Sequence, residues 1–293
     1  MLLITGATGA LGRHLVDTLL TGGAEIRAVS RDPAAARLPA GVEVVAADPS
    51  RPDTMDGALA GVTGMFLHPR AVGDAAYGIV AAARKYGVAK VVALSAINVD
   101  DDDAEQPSRY RGDRNREAEE AAAGSGLAWT SLRAGAFASN AAQAWGAQIR
   151  AGDVVRYPYA GFEECPVDER DLAEVAARAL LTDELVGRRL SLTGPASITH
   201  ADMVATIGAA LGRPLRYEEV PPDLALRGMV AAGLPEPFVA ALLRRYAQAP
   251  RQLPTDDVRR ALGRPARTFA DWVADHTDAF RTGPARTGAV PAV

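Results

Sequence analysis

The first twelve residues, Met-Leu-Leu-Ile-Thr-Gly-Ala-Thr-Gly-Ala-Leu-Gly, constrain the fold more than any other part of the chain. A short apolar stretch, Leu2 to Ile4, reads as a buried strand and runs directly into glycines at 6, 9 and 12. Leu11, Leu15 and Leu19 then recur every four residues, which is one apolar stripe of a helix, and Gly22-Gly23 ends it. A strand, a glycine turn and a helix in that order form a site for a dinucleotide. Gly6 permits the tight turn, Gly9 keeps side-chain bulk away from a pyrophosphate, and Gly12 lets the helix lie close to the sheet. The helix N-terminus then offers its free N–H groups to the phosphates.

The end of the second strand, Glu25 to Ser30, selects the cofactor. An NAD enzyme places a carboxylate there to accept hydrogen bonds from the ribose hydroxyls. This chain has Ser30 and Arg31, a hydroxyl and a guanidinium suited to a 2′-phosphate, so NADPH/NADP is expected. Asp32 could serve a ribose instead, although Asp32-Pro33 more simply opens the next turn.

Strands continue to alternate with helices. Val42–Ala47, Val62–Leu67, Lys90–Ala96, Leu127–Leu132 and Arg189–Thr193 read as strands. Helices are expected near 73–86, 109–123 and 171–181. This order predicts an α/β fold with a doubly wound parallel sheet, a Rossmann fold, and right-handed crossovers. Ligands then gather at the carboxyl ends of the strands, which carry Gly6, Ser30, Asp48, Leu67, Ser95 and Arg133. Beyond Gly194-Pro195, Thr199 with Asp202 reads as a capping box opening a helix that ends at Gly212. Further helices near 222–232, 236–247 and 268–279 suggest a smaller, mostly helical lobe over the substrate. The expected partition is residues 1–155 plus about 165–194 for the cofactor domain and about 156–164 plus 195–280 for the lobe, with 281–293 as a mobile tail.

Composition narrows the function by exclusion. A formal net charge of −4, with no basic stripe interleaved with aromatics, gives no reason to expect nucleic acid. One cysteine, Cys165, excludes an internal disulfide framework and fits a reducing, cytoplasmic compartment. No apolar run reaches the roughly 18 residues of a membrane span, and the N-terminal strand lacks the basic flank of a signal peptide. The four histidines, His14, His68, His200 and His276, lack ligand spacing, so no metal site is expected. The acidic run Asp100 to Asp103 reads as a solvated loop. No GxSxG turn marks a hydrolase. Phe137, Trp145, Tyr157 and Phe162 either stack on a planar substrate or fill a core.

The segments GATGALG, Ser30-Arg31-Asp32-Pro33, Gly87 to Ser95, Ser125 to Arg133 and Val167 to Ala173 together resemble the NmrA-like atypical short-chain dehydrogenases/reductases. That group includes NADPH-dependent quinone oxidoreductases and quinone-reducing enzymes of aromatic polyketide pathways, and the resemblance covers about the first two-thirds of the chain. It implies that Thr8, Gly9, Ala10 and Leu11 line the pyrophosphate, Arg31 the 2′-phosphate and Asp48 the adenine. It further implies that Leu67 and His68 border the nicotinamide ribose, that Ser95 lies beneath the nicotinamide, and that Phe137 and Asn140 face the substrate. Where the group has Leu-Arg-Pro, this chain has Leu132-Arg133-Ala134.

Short-chain enzymes acting on ordinary ketones or alcohols carry a YxxxK pair, in which the lysine helps the tyrosine pass a proton. This chain reads as lacking it: Lys85 precedes Tyr86, Lys90 follows it by four, and the nearest echo is Tyr110 with Arg114. Tyr110 is thus the candidate proton donor, with an always-protonated arginine as a poor partner. The expected function is an NADPH-dependent oxidoreductase delivering hydride to a quinone or polycyclic aromatic acceptor, in reach of an aromatic polyketide tailoring step. A catalytically silent NADP(H)-sensing regulator of the NmrA type is the rival reading, and a sugar-nucleotide epimerase ranks third. The expected partner is a small aromatic molecule, and a homodimer is left open.

Overall fold

The computed structural model describes residues 1–249 and 251–281, so most of the tail expected at 281–293 lies outside the described residues. In chain order the elements are β1 (Leu2–Ile4), α1 (Ala10–Thr21), β2 (Ile26–Ser30), β3 (Val42–Ala46), α2 (Asp56–Leu59), β4 (Gly64–Leu67), α3 (Pro69–Val72), α4 (Ala76–Lys85), β5 (Lys90–Ala96), α5 (Asn115–Ala123) and β6 (Ala128–Ala134). They continue with α6 (Asn140–Ala151), β7 (Val154–Tyr157), β8 (Glu163–Glu164), α7 (Glu169–Leu181), β9 (Arg188–Leu192), β10 (Ile198–Thr199), α8 (His200–Leu211) and β11 (Arg216–Glu219). The helices α9 (Pro222–Ala231), α10 (Glu236–Gln248), α11 (Asp257–Leu262) and α12 (Phe269–Asp275) follow.

The chain divides into two compact units. The first comprises Met1–Gly135, Glu169–Leu192 and Asp256–Pro265; the second comprises Ala136–Asp168, Thr193–Thr255 and the chain from Ala266 onward. The division differs from the expected one at the edges of the 165–194 segment, where 165–168 and 193–194 fall in the second unit, and more widely elsewhere. Residues 136–155, including the unanticipated helix α6, belong to the second unit, and α11 returns to the first. The reason is local: Trp145 and Ile149 turn the apolar face of α6 into the second unit's core, whereas Asp257 accepts a hydrogen bond from the Ser191 N–H of β9.

In the first unit, seven strands pair in the order β3-β2-β1-β4-β5-β6-β9, and each pairing is parallel. Chain direction across the sheet reverses between β1 and β4, and the crevice at that point is where ligands bind in doubly wound sheets. Both faces are covered, as a parallel sheet demands. Leu3, Met65, Leu67, Val91 and Ala93 pack against Met55, Leu59, Ile79, Val80 and Ala118 on one face. On the other, Gly64 lies against Leu2 and Leu180, the latter from α7, which also packs on α1.

The second unit is mostly helical. A core of Trp145, Val155, Met203, Ile207, Phe269, Trp272 and Phe280 joins α6, α8 and α12. β7 pairs in parallel with β11, and the short β8 pairs antiparallel with β10. The expected cap is present: the Thr199 hydroxyl accepts the Asp202 N–H at 3.0 Å, and the helix ends on Gly212 in the left-handed region. No helix among the described residues is long and apolar enough to cross a membrane.

Candidate active site

The turn between β1 and α1 is shaped by contacts that only glycine tolerates. Gly6 sits at φ +69°, and a Cβ there would lie 2.8 Å from the His68 ring. At Gly12 a Cβ would stand 2.1 Å from the Gly6 carbonyl oxygen and 2.7 Å from the Ala7 Cα, so this glycine closes the helix onto the turn itself as well as toward the sheet. Gly9 differs, since a Cβ there would meet only the Gly6 carbonyl, at 3.4 Å. It is the N-cap of α1, with no side-chain cap and no acidic residue in the first turn. The first-turn N–H groups of Ala10 and Leu11 therefore have neither an intrahelical acceptor nor a side-chain cap, and are the kind of donor a pyrophosphate uses. Thr8 is half-buried beside them.

Sequence reasoning missed Arg13, which holds this turn in place. Its guanidinium donates to the Thr8 carbonyl at 3.0 Å, the Arg37 carbonyl at 2.9 Å and the Ala36 carbonyl at 3.3 Å. Arg13 thereby ties the glycine turn to the loop after β2. The only signal was its position immediately after the third glycine.

At the carboxyl end of β2, Ser30, Arg31 and Asp32 divide the work differently from the expectation. The Ser30 hydroxyl donates to the Asp32 carbonyl at 2.8 Å and accepts the Asp32 N–H at 3.1 Å, so it builds the turn. The Asp32 carboxylate accepts the N–H groups of Ala34 and Ala35, which removes it as a ribose acceptor. Arg31 is exposed and makes no hydrogen bond or ion pair among the described residues. Asp48, past β3, accepts the Ser50 hydroxyl at 2.7 Å. That bond, helped by the nearby charge of Arg31, holds its carboxyl below the usual range.

At β4 the Thr5 hydroxyl bridges the turn, donating to the Phe66 carbonyl at 2.9 Å and accepting the His68 N–H at 2.8 Å. Leu67 is fully buried. The His68 Nδ1 accepts the Arg70 N–H at 3.2 Å, which caps α3 and leaves the proton on Nε2. Burial pushes His68 down to about 4, against the opposing charge of Asp113, so it is a neutral donor at physiological pH. Asp113 itself is clamped by Arg70 at 3.1 and 2.6 Å. At the end of β5, Ser95 is 2% exposed and its Oγ has no partner. Buried hydroxyls are normally satisfied, so an orphan at this edge is a place for a ligand atom.

Three expectations require correction. Arg133 is not presented to a ligand: its nitrogens donate to Glu119 at 3.0 and 2.6 Å and to Asp100 at 2.7 Å. Glu119, 3% exposed, also accepts Ser131 and Arg189. Burial alone would raise its pKa, but these bonds outweigh it and bring the carboxyl down to about 2. The segment therefore serves as a buried ionic brace between α5, β6 and β9. Tyr110 is 38% exposed on a short 3-10 turn, its hydroxyl meeting only the Ala104 carbonyl at 3.4 Å. Arg114 turns away from it to Asp74 at 2.6 Å.

The third correction concerns the tyrosine–lysine pair. Tyr86-Gly87-Val88-Ala89-Lys90 does have YxxxK spacing. The pair is nevertheless useless for proton transfer at the ligand edge. Helix α4 ends at Lys85, and Gly87 at φ +82° turns the chain, so Tyr86 and Lys90 do not occupy successive turns of one helix. Lys90 opens β5 at its amino end, opposite Ser95, and binds the Thr182 carbonyl at 2.5 Å and Asp183 at 2.8 Å. The Tyr86 hydroxyl bonds Asp56.

Phe137 and Asn140 lie in the second unit, half-buried and exposed respectively, with the Asn140 N–H donating to the Phe137 carbonyl. Trp145 and Tyr157 are buried there in a T-shaped pair at 5.8 Å, which makes them core residues. No cluster of metal-ligating side chains occurs among the described residues.

The uncapped glycine turn, the unpaired Arg31 and the orphan Ser95 hydroxyl fit a nicotinamide dinucleotide along one edge of the sheet. Comparison with known proteins agrees: the NAD(P)H-binding family matches residues 6–183, and the chain belongs to that family. It is 37% identical over 287 residues to the (4-alkanoyl-5-oxo-2,5-dihydrofuran-3-yl)methyl phosphate reductase of Streptomyces griseus, covering 96% of this chain and 99% of that protein. To the NAD(P)H azoreductase of Xenophilus azovorans it is 33% identical over 288 residues, 96% of this chain and 99% of the relative. Its fold matches the NADPH-dependent quinone oxidoreductase of Escherichia coli with a TM-score of 0.80 at 24% identity, over 94% of this chain and 99% of the other. The same oxidoreductase in complex with NADPH gives 0.79. The family match bears out the nicotinamide cofactor, the relatives place the chain among NAD(P)H-dependent reductases, and the solved structures bear out the doubly wound fold.

Proposed function

We propose that the protein is an NADPH-dependent reductase that delivers hydride to a conjugated, electron-poor acceptor such as a quinone. The observation that carries this reading is the make-up of the ligand edge. It offers an uncapped helix, a free guanidinium, a buried hydroxyl and a neutral imidazole, while the tyrosine–lysine pair stands at the opposite edge. Hydride addition to a simple ketone builds an alkoxide that needs an acid beside it. Addition to a quinone yields a delocalised phenolate that water or a weak donor protonates. The cofactor supplies the hydride; the protein supplies orientation and the exclusion of water.

Within the site, the first-turn N–H groups of Ala10 and Leu11 would hold the pyrophosphate and Arg31 the 2′-phosphate. Ser95 would offer its hydroxyl to the nicotinamide end, and the Nε2–H of His68 would donate to a neighbouring oxygen. The names of the relatives support the class of acceptor, since a dihydrofuranone, an azo compound and a quinone all carry a π-bond conjugated to electron-withdrawing atoms. A place in aromatic polyketide tailoring is one such use. The test is NADPH oxidation with a panel of quinones. Turnover above the uncatalysed rate supports the reading; tight NADP⁺ binding with no turnover of any quinone overturns it in favour of a regulator.

A further inference from the structure

The second unit contains a cavity that the hydride chemistry does not use. Its volume is about 310 Å³, and its lining includes Tyr159, Phe162, Tyr246, Glu163, Glu219 and Arg251. We propose that this cavity is a binding site for a cationic aromatic molecule, with Tyr159, Phe162 and Tyr246 as its walls and Glu219 as its counter-charge. The proposal concerns binding alone and stands apart from the reductase reading.

The walls are fixed from behind. Phe162 and Tyr246 meet at 4.6 Å, Tyr159 meets Tyr246 edge-on at 6.2 Å, and both Phe162 and Tyr246 rest on His200, at 5.1 and 4.9 Å. His200 is 2% exposed and its Nδ1 has no partner. Burial keeps it neutral, so His200 itself puts no positive charge behind the rings. Tyr159 is held at φ +55°, a left-handed conformation uncommon for an aromatic residue, and such outliers gather at ligand sites.

The charged residues of the lining itself, Glu163, Glu219 and Arg251, leave a negative remainder. Glu163 is paired with Arg251 at 2.7 Å and also accepts the Ser197 hydroxyl at 2.9 Å. The half-buried Glu164 is pushed up to about 7 by desolvation, against the charge of Arg245, so it adds little to this balance. The exposed Glu219 makes no side-chain hydrogen bond or ion pair among the described residues, so one carboxylate of a lining that also holds three aromatic rings is left over. Aromatic faces and an unpaired carboxylate together select a delocalised cation and reject an anion of the same shape.

Gly161 provides the probe. It lines the cavity, and a Cβ there would meet nothing within 4 Å, so Gly161→Trp introduces a bulky side chain at the cavity without a clash at its first atom. Proflavine, a planar cation, is titrated by fluorescence anisotropy into the full-length protein saturated with NADP⁺; anthracene-9-carboxylate is its anionic counterpart. The expected result is saturable proflavine binding, weakened about tenfold by Gly161→Trp and about threefold by Glu219→Gln, with no binding of the anion. The absence of saturable binding to the parent, or equal binding of the anion, overturns the proposal. So does full affinity in a Gly161→Trp variant that melts like the parent. Should that variant fail to fold, Glu219→Gln decides: weakened binding supports the site, and unchanged binding removes it. Neither outcome touches the cofactor reading, which the NADPH affinity of the same variants reports separately.

Discussion

Arg31→Ala is the sharpest perturbation of the cofactor site. The side chain is exposed and makes no bond that its removal would break, so the fold and the apo melting temperature should stay as they are. What disappears is a charged donor for the 2′-phosphate. Hydrogen bonds to charged groups contribute roughly 1.5–3 kcal/mol, which corresponds to a loss of about 10- to 150-fold in NADPH affinity. NADH lacks the phosphate and should bind the variant as it binds the parent. Arg13 cannot take over, because its guanidinium is already engaged with three backbone carbonyls. Asp48 should remain ionised, since the Ser50 hydroxyl is the larger cause of its lowered pKa and Arg31 a lesser one. The assay is calorimetric titration of both cofactors into parent and variant. Equal losses for NADPH and NADH, or none for NADPH, would refute the assignment.

Other consequences follow from the same contacts. Gly12→Ala places a methyl 2.1 Å from a backbone oxygen that cannot move without opening the turn, so NADPH binding should be lost and the melting temperature should fall; a variant binding normally would show the turn to be pliable. Ser95→Ala removes a buried hydroxyl with no partner, so the apo protein should melt at the same temperature or higher while NADPH affinity drops about fivefold. An unchanged affinity would remove Ser95 from the site. Glu119, lowered from 4.5 to about 2, stabilises the fold fully above its unfolded pKa, by roughly 3 kcal/mol, and loses that contribution as pH falls from about 5 toward 2. Glu119→Gln should therefore be less stable than the parent at neutral pH and equal to it near pH 2 by denaturant titration; a constant difference across pH would contradict the brace.

The sheet was legible because a buried parallel sheet writes itself as short apolar runs separated by turn residues. The strands Leu2–Ile4 and Lys90–Ala96 stand where those runs lie. Helix α6 was not legible, since Asn140 to Ala151 is alanine-rich and shows its apolar face only through Trp145 and Ile149. For the site, residue types announced the glycine turn and Arg31, because backbone geometry and a strand end dictate them locally. Arg133 misled because a guanidinium at a strand's carboxyl end has the same sequence whether it faces a ligand or carboxylates such as Glu119, which lies fourteen residues earlier in the chain. Tyr86 and Lys90, four residues apart, have the YxxxK spacing that the sequence reading denied, so that miss was one of counting; what spacing itself cannot tell is that the helix ends at Lys85 and leaves the pair at the amino edge of the sheet.

The central claim, an NADPH site that needs little acid help from the protein, is tested most directly by comparing acceptors. The purified protein is mixed with NADPH and either a 1,4-naphthoquinone or an unconjugated ketone of similar size, and absorbance of the reduced nicotinamide is followed. The account predicts enzymatic turnover of the quinone at a kcat/KM at least about a hundredfold above that of the ketone, the scale of a missing general acid. Equal turnover of the two, or turnover of the ketone alone, would contradict it.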